Sequence, residues 1–452
     1  MRIAFITSGA AGMFCGSCMR DNTLVAALRK DGHDALLIPT YTPIRTDEAD
    51  VSERRVFFGG INVYLQQKSW IFRHTPWLLD RLFDFNRLLR WASRFAVRTK
   101  YSELGELTVS MLQGHAGKQT KEVDKLTEWL ANDHRPEVVV LSNALLSGVL
   151  PELKRKLGVP ILVTLQGDDI FLEALPEPYR TQCLNSIRAN DAAVDGYICT
   201  SRYYADFMAG YLGLNRAKMH VVYPGLNLEG HGGKREVRRE PLAIGYFARI
   251  CPEKGFHNLV EAFIALHSQI SREAQSAEPS VAGPTAKRGV KLRASGWLGE
   301  NHRAYFIEQL HKLEAAGLAA DFEYVDSPSH VDKVKFLQSV DVLSVPTTYH
   351  EPKGLYVLEA WANGIPVVQP RHGSFPELIE STGGGLLVSA DNPAALAEGL
   401  EQLLGDRDLR DRMGRAGASA VRERFTAEVM ARETVALLER FTAQHSFPPQ
   451  AS

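Results

Sequence analysis

The chain repeats one pattern twice. Short, continuously apolar runs alternate with segments of helical period, first before residue 226 and again after residue 240. The first set is RIAFIT (2–7), ALLIPT (35–40), EVVVLSN (137–143), PILVTLQG (160–167), GYICTS (196–201) and HVVYPG (220–225). The second is LAIGYFAR (242–249), VKLRASG (290–296), FEYVDS (322–327), DVLSVPT (341–347), IPVVQP (365–370) and GGLLVSA (384–390). A strand wet on one face alternates apolar and polar residues, whereas a strand covered on both faces stays apolar throughout. Helix-like segments at 302–316, 355–363 and 392–404 separate the second set. The pattern therefore predicts an α/β chain of two tandem Rossmann-like, doubly wound domains. LNLEGHGGKREVRRE (226–240), rich in glycine and charge, reads as the linker between them. The domains are expected at 1–228 and 240–425, followed by a helix near 426–443 that crosses back to the first domain and a tail to 452. Open α/β sheets bind ligands beyond the carboxyl ends of their strands, so the two domains are expected to face a cleft that holds the site.

A length of 452 residues exceeds what one core serves, which fits two domains. The formal net charge of -1 provides no global basic field, and a nucleic-acid partner is not expected. Five cysteines without a repeating framework fit a reducing compartment, hence the cytoplasm. Met1-Arg2 leads directly into IAFIT, and no run reaches the ~18 apolar residues of a membrane span, so neither export nor spanning is expected. Two stretches break the repeat. Residues 271–289 are small and polar and read as a disordered loop. Residues 69–100 read as a helical insertion in the first domain, with Arg87, Arg90, Arg94 and Arg98 along one face beside Leu88, Trp91 and Phe95. Packed on the domain, that helix solvates its arginines; a basic aromatic face also suits peripheral contact with the cytoplasmic side of a membrane.

Chemistry concentrates in the second domain. In FARICPEKGFHNLVEAF (247–263), Arg249 and Lys254 leave the carboxyl end of the first strand, and Gly255 permits a tight turn before a helix. A guanidinium and an ammonium so placed suit a diphosphate, through charge-assisted bonds to its oxygens. In HEPKGLYVLEAWANG (350–364), Gly354 opens a helix after another buried strand. The amides of Gly354 and Leu355 and the helix dipole form a second anion site. Glu359, one turn in, can accept hydrogen bonds from a ribose diol, while Glu351 in the loop is expected to face the cleft.

These motifs carry a resemblance. E-x7-E (Glu351, Glu359) after a parallel strand, R-x4-K-G upstream and NGIPVVQPRHGSFPEL downstream are similar to the retaining glycosyltransferases of family four, which have the two-domain B-type fold. LGVPILVTLQGDD, GYICTSR and VVYPGLN resemble the first domain of the same family. The resemblance implies transfer of a sugar from a nucleotide diphosphate sugar to a glycan, lipid-linked or small-molecule acceptor, with retention at the anomeric carbon. By motif, Arg249 and Lys254 would bind the donor diphosphate, Glu359 the ribose and Glu351 the hydroxyls of the transferring sugar. No cofactor is expected, and no metal site: the only D-x-D, Asp406-Arg407-Asp408, lies in a helical charge run. Retention by a covalent carboxylate intermediate and by same-face attack both remain open.

The chain departs from the family at Gln166, where a histidine is usual, and at Pro352-Lys353, where a glycine-aromatic pair is usual. An amide can replace the histidine as a hydrogen-bonding group for the donor sugar. Lys353 adds a second cation near the diphosphate or the sugar. Asp168 and Asp169 follow Gln166 and read either as contacts to ligand hydroxyls or as helix caps. In SGAAGMFCGSCMRDN (8–22), Gly12 and Gly16 permit close backbone approach to a ligand, and Cys15 and Cys18 read as part of that loop, with a redox pair or half a zinc site as the alternative. Two other functions use the same architecture: a non-catalytic sugar-nucleotide-binding protein, which Gln166 favours, and a nucleotide-sugar epimerase. A dinucleotide dehydrogenase lacks its G-x-G-x-x-G.

Overall fold

The computed structural model describes residues 1–9, 15–57, 101–232, 241–276, 289–327 and 329–446. The expected insertion with its arginine face, Gly12 and most of the 271–289 loop lie outside the described residues. The chain divides into two compact units, Met1–Gly225 with Ala427–Ser452, and Leu226–Thr426.

The first unit is built on a parallel six-stranded sheet in the order β2-β1-β3-β4-β5-β6. Its strands are β1 (Arg2–Thr7), β2 (Asp34–Pro39), β3 (Val138–Leu141), β4 (Ile161–Leu165), β5 (Gly196–Cys199) and β6 (Met219–Val221). Every residue of β3, β4 and β5 is buried, which is why their runs carry no polar alternation. Successive side chains of a strand point to opposite faces, and they divide between two cores accordingly. Ala4, Ile6, Val139, Leu141, Val163 and Leu165 enter one cluster. Ile3, Phe5, Val138, Val140, Leu162 and Ile198 enter the other.

Helix α1 (Gly16–Lys30) follows β1, and the short helix α2 (Asp168–Glu173) follows β4. In the second unit, α3 (Phe256–Ser276), α4 (His330–Gln338), α5 (Leu355–Ala362) and α6 (Arg407–Arg424) are the helices that bear on the site and its surroundings. The last helix, α7 (Ala427–Ser446), belongs to the first unit. There Met430, Ala431, Leu437 and Leu438 join Leu24, Val25 and Leu28 of α1 in the second cluster.

The second sheet is also parallel, in the order β12-β11-β10-β7-β8-β9. It comprises β7 (Leu242–Phe247), β8 (Val290–Ser295), β9 (Phe322–Tyr324), β10 (Val342–Leu343), β11 (Val367–Pro370) and β12 (Gly385–Val388). DVLSVPT yields a ladder shorter than its apolar run, because at Val345 the Gln369 side chain replaces a strand partner and accepts the amide at 3.2 Å. Strand order reverses at β7 and β10, which pair directly, so this is the topological switch point where open sheets bind ligands. In the first unit the reversal falls at β1 and β3. The chain enters and leaves the second unit at neighbouring residues: the Leu226 amide donates to the Phe425 carbonyl at 2.9 Å, beside a parallel bridge from Leu226 to Thr426.

Candidate active site

The switch point of the second sheet collects the residues singled out by sequence. The loop after β7 carries Arg249 and Lys254, and the loop after β10 carries Glu351, Lys353 and Gly354. Lys254 ends a single helical turn at Gly255, whose φ of +69° is a left-handed conformation. A Cβ there would lie 1.7 Å from the Pro346 carbonyl oxygen, so only glycine lets this turn press against the chain leading to Glu351. Lys254 Nζ is consequently 2.8 Å from Glu351 Oε2. The same ammonium lies 4.8 and 5.0 Å from the ring centroids of Tyr349 and Tyr356, within cation–π range.

Glu351 is the hub of this cluster rather than an outward-facing group, which corrects the sequence expectation. It is 2 % exposed. Besides Lys254, its carboxylate accepts from the Tyr349 hydroxyl, from the Tyr356 hydroxyl at 2.9 Å, and from the Gly354 and Lys353 amides at 3.1 and 3.3 Å. Burial alone would raise its pKa; the Lys254 charge and hydrogen bonds from Lys254, Tyr349 and Gly354 outweigh burial and bring it down to about 2. Glu351 is thus ionised at neutral pH. The Gly354 amide, read from sequence as a phosphate donor, is given to this carboxylate instead. The helix still begins at Gly354, at φ +58°, and the amides of Leu355 and Tyr356 remain as the N-terminal donors of α5.

Lys254 has three N–H donors, of which Glu351 and Tyr349 take two. Arg249 is half-buried and stands within electrostatic reach, since its charge counters the effects of burial and Glu351, which together raise the Tyr349 hydroxyl far above its ordinary range. Lys353 is buried. Glu359, on α5, is also buried and pairs at 2.9 Å with Lys333 of α4, a partner the sequence motifs did not announce.

In the first unit, Gly16 begins α1 and Gln166 follows β4. The Gln166 side-chain amide donates to the Ser142 carbonyl at 2.9 Å and lies 3.4 and 3.5 Å from the two carboxylate oxygens of Asp21. Asp21 is itself paired at 2.9 Å with buried Arg20. Asp168 does not reach outward: its oxygens accept from the Ala144 amide at 2.6 Å and the Gln166 amide at 3.0 Å, tying the end of β4 to the turn after β3. Burial pushes this carboxyl up to about 6, opposed by those two bonds. Asp169 accepts from the Tyr204 hydroxyl, which in turn accepts from the Gly167 amide at 2.8 Å. Cys15 and Cys18 are not joined by a disulfide. A hydrogen bond with Cys15 and then burial raise the Cys18 thiol far above its usual range, the reverse of an activated thiolate. Asp406 caps α6, accepting from the Leu409 amide at 2.9 Å, which accounts for the D-x-D motif.

Both units have counterparts among known proteins. A glycosyl transferase 4-like domain matches residues 22–225, and a glycosyl transferases group 1 domain matches residues 233–420. D-inositol 3-phosphate glycosyltransferase of Streptomyces bingchenggensis is 30% identical over 244 residues, 52% of this chain and 50% of that protein. The match thus spans about half the length of that relative. Spore coat protein SA of Bacillus subtilis is 22% identical over 311 residues, 64% of this chain and 75% of that protein. Among solved structures, Anabaena Alr3699/HepE in complex with UDP superposes with a TM-score of 0.65 at 15% identity, covering 97% of this chain and 100% of that one. Sucrose-phosphate synthase from Thermosynechococcus elongatus gives 0.68 at 17% identity, covering 98% and 100%. The fold is accordingly the two-domain B-type arrangement of Rossmann-like units. Matched in order along the chain, the first unit carries a glycosyl transferase 4-like domain and the second a glycosyl transferases group 1 domain.

Proposed function

We propose that the protein transfers a sugar from a nucleotide diphosphate sugar to an acceptor hydroxyl with retention at the anomeric carbon, and that the second unit holds the donor. The observation that carries this reading is the position of Lys254, fixed by Glu351 and Tyr349 at the switch point where α5 also begins. A departing nucleoside diphosphate gathers negative charge as the glycosidic bond breaks. Cations and helix amides already in place stabilise that charge without reorganising. In this reading Arg249, Lys254 and the Leu355 amide bear on the diphosphate, and Glu359 holds the ribose. Glu351 acts chiefly by positioning Lys254, and no metal is needed for the leaving group.

From the first unit, Gly16 bears on the acceptor, and Gln166, its amide held by the Ser142 carbonyl and beside the Asp21 carboxylate, on the donor sugar. The acceptor is proposed to be a polyhydroxylated molecule, and phosphorylated inositol, named for the actinobacterial relatives, is the first candidate alongside glycan and lipid-linked acceptors. Among the described residues no helix is long and apolar enough to cross a membrane. We place the enzyme in the cytoplasm, with the 69–100 stretch as its route to any peripheral membrane contact.

The test is a thermal-shift screen with uridine, guanosine and adenosine diphosphates and their glucose conjugates, followed by product analysis with the nucleotide that stabilises most. Stabilisation by one diphosphate together with acceptor-dependent release of it supports the reading. Release of an isomerised donor without any acceptor would replace it with an epimerase, and binding without turnover with a sensor.

A further inference from the structure

Cys15-Gly16-Ser17-Cys18 is a C-x-x-C motif to which sugar transfer gives no role. The Met19 amide donates to the Cys15 carbonyl at 3.0 Å, so the first turn of α1 closes on Cys15, the N-cap of the helix, with Cys18 three positions in. Residues so spaced stand about 5–6 Å apart on one helix face, within the reach of a disulfide. The two thiols already meet through a hydrogen bond. Cys18 is 1% exposed, belongs to the second core cluster and lies 3.8 Å from the Thr7 hydroxyl. Cys15 packs against the same cluster but is only half-buried; of the five free cysteines it alone is not buried. Among the described residues no group of His, Cys, Asp and Glu completes a metal site with these two sulfurs.

The two sulfurs are unequally placed, as an attacking and a resolving thiol must be. Cys15 sits at the positive end of the helix dipole, and no acidic residue occupies the first turn. The hydrogen bond with Cys15, burial and the nearby Asp21 charge hold the proton on Cys18. We propose that Cys15 and Cys18 form a reversible dithiol–disulfide switch that takes hydrogen peroxide as its oxidant and acts on the start of α1. Attack by the Cys15 sulfur breaks the O–O bond, leaving a sulfenic acid on Cys15 and releasing one oxygen as water. The Cys18 sulfur then displaces the sulfenic oxygen, which leaves with the Cys18 proton as a second water while the S–S bond forms. The two thiols together lose two electrons, and one peroxide gains them. A disulfide draws its sulfurs to about 2.05 Å, well inside hydrogen-bonding distance. Cys18 is held in the core, so the movement falls on Cys15 and the adjoining Gly16 and Ser17. Ser17 donates to the Gln166 carbonyl at 3.4 Å, which ties this turn to the end of β4. In a reducing compartment a disulfide of this kind is transient and redox-sensing. Its effect on the acceptor rests on the reading above, in which Gly16 bears on the acceptor; its formation does not.

The experiment treats the reduced full chain with hydrogen peroxide and reads peptide masses, amide hydrogen exchange over 16–18 and sugar transfer, before and after dithiothreitol. The tryptic peptide 3–20, which holds both sulfurs, should lose the mass of two hydrogens and regain it on reduction. Exchange over 16–18 should differ between the two forms. In the oxidised form kcat/KM for the acceptor should fall by at least about fivefold, the lower end of coupling between distinct sites, while affinity for the nucleoside diphosphate stays within about twofold. Cys18→Ser should stop at a sulfenic acid on Cys15 that dimedone captures, and Cys15→Ser should transfer sugar at a rate peroxide does not change. If native protein gains oxygen on either cysteine without losing the two hydrogens, or pairs one of them with Cys183, Cys199 or Cys251, the proposed pair is overturned. A Cys15–Cys18 disulfide that leaves both exchange and acceptor kcat/KM unchanged overturns the switch. If the reduced protein transfers no sugar at all, the functional reading falls by itself, and the masses and exchange still decide the switch.

Discussion

Glu351 gathers more hydrogen bonds than a carboxylate reserved for a sugar could spare: Lys254, two tyrosine hydroxyls and two backbone amides all converge on it. Its value lies in what it does to Lys254, which predicts unequal effects at the two ends of the pair. Lys254→Ala should lower kcat/KM by at least about tenfold, because a charge-assisted bond contributes about 1.5–3 kcal/mol and each 1.4 kcal/mol is one factor of ten. Stability should fall as well but less steeply, since the Glu351 carboxylate left behind still accepts from two tyrosine hydroxyls and two backbone amides. Glu351→Ala strands a half-buried ammonium, two buried tyrosine hydroxyls and two backbone amides, so it should cost about 3–5 kcal/mol in urea unfolding as well as activity. The pH dependence has a definite sign. A carboxyl lowered to about 2 contributes stability that is present above its unfolded value near 4.5 and is lost as pH falls toward 2. Asp168 works in the opposite sense, since a carboxyl raised to about 6 favours the folded state as pH drops from 6 toward 4. Unfolding free energies measured between pH 7 and 3 should therefore fall less steeply below pH 4.5 in Glu351→Gln than in native protein. The E-x7-E spacing made both glutamates visible in the sequence. Tyr349, Tyr356 and Lys333 were not visible as partners, because the bonds that define them cross between elements and leave no periodic trace.

At the scale of elements, strands were the most legible feature, since burial on both faces is written directly into runs such as VVVL and ILVTL. Helix α1 was not. Arg20, Asp21, Asn22 and Thr23 are consecutive, polar and all buried, so the segment has almost no amphipathic signature. Most of its polar groups are met from other parts of the chain: Asn22 by Ala49 and Val51, Thr23 by Glu48, and Asp21 by Gln166 as well as by its neighbour Arg20. Such pairing depends on loops meeting in space, which a single sequence does not report. The turn at Gly255 was legible as a glycine, but the reason for it was not. It is the approach of the Pro346 carbonyl, and Gly255→Ala must move that backbone as well as adopt an unfavourable φ. We expect a loss of about 2 kcal/mol or more, above the 1–3 kcal/mol of a strained position acting alone only if the turn cannot shift. Affinity for the nucleoside diphosphate should weaken with it. Paired chemical denaturation and titration curves provide the check, and normal affinity at reduced stability would separate the turn from the Lys254 site.

For the whole molecule, the division of the chain is set by a helix from its far end. Helix α7 comes after the second unit in sequence, yet it lays Met430, Ala431, Leu437 and Leu438 into the apolar cluster beneath α1. Leu438 is completely buried there, and Leu438→Ala should cost about 2–5 kcal/mol, as large-to-small changes in a core do. Deleting residues 427–452 removes all four side chains together and leaves that face of the first sheet open to water. The second unit has its own sheet, and its chain ends are joined at Leu226 and Phe425, immediately before the deletion. It should survive. Calorimetric melting of the truncated chain should accordingly show the first unit's transition lost or greatly lowered, while a nucleoside diphosphate still raises the melting temperature of the transition that remains. If both transitions vanished together, the units would be one cooperative structure, and the donor site could not be ascribed to the second alone.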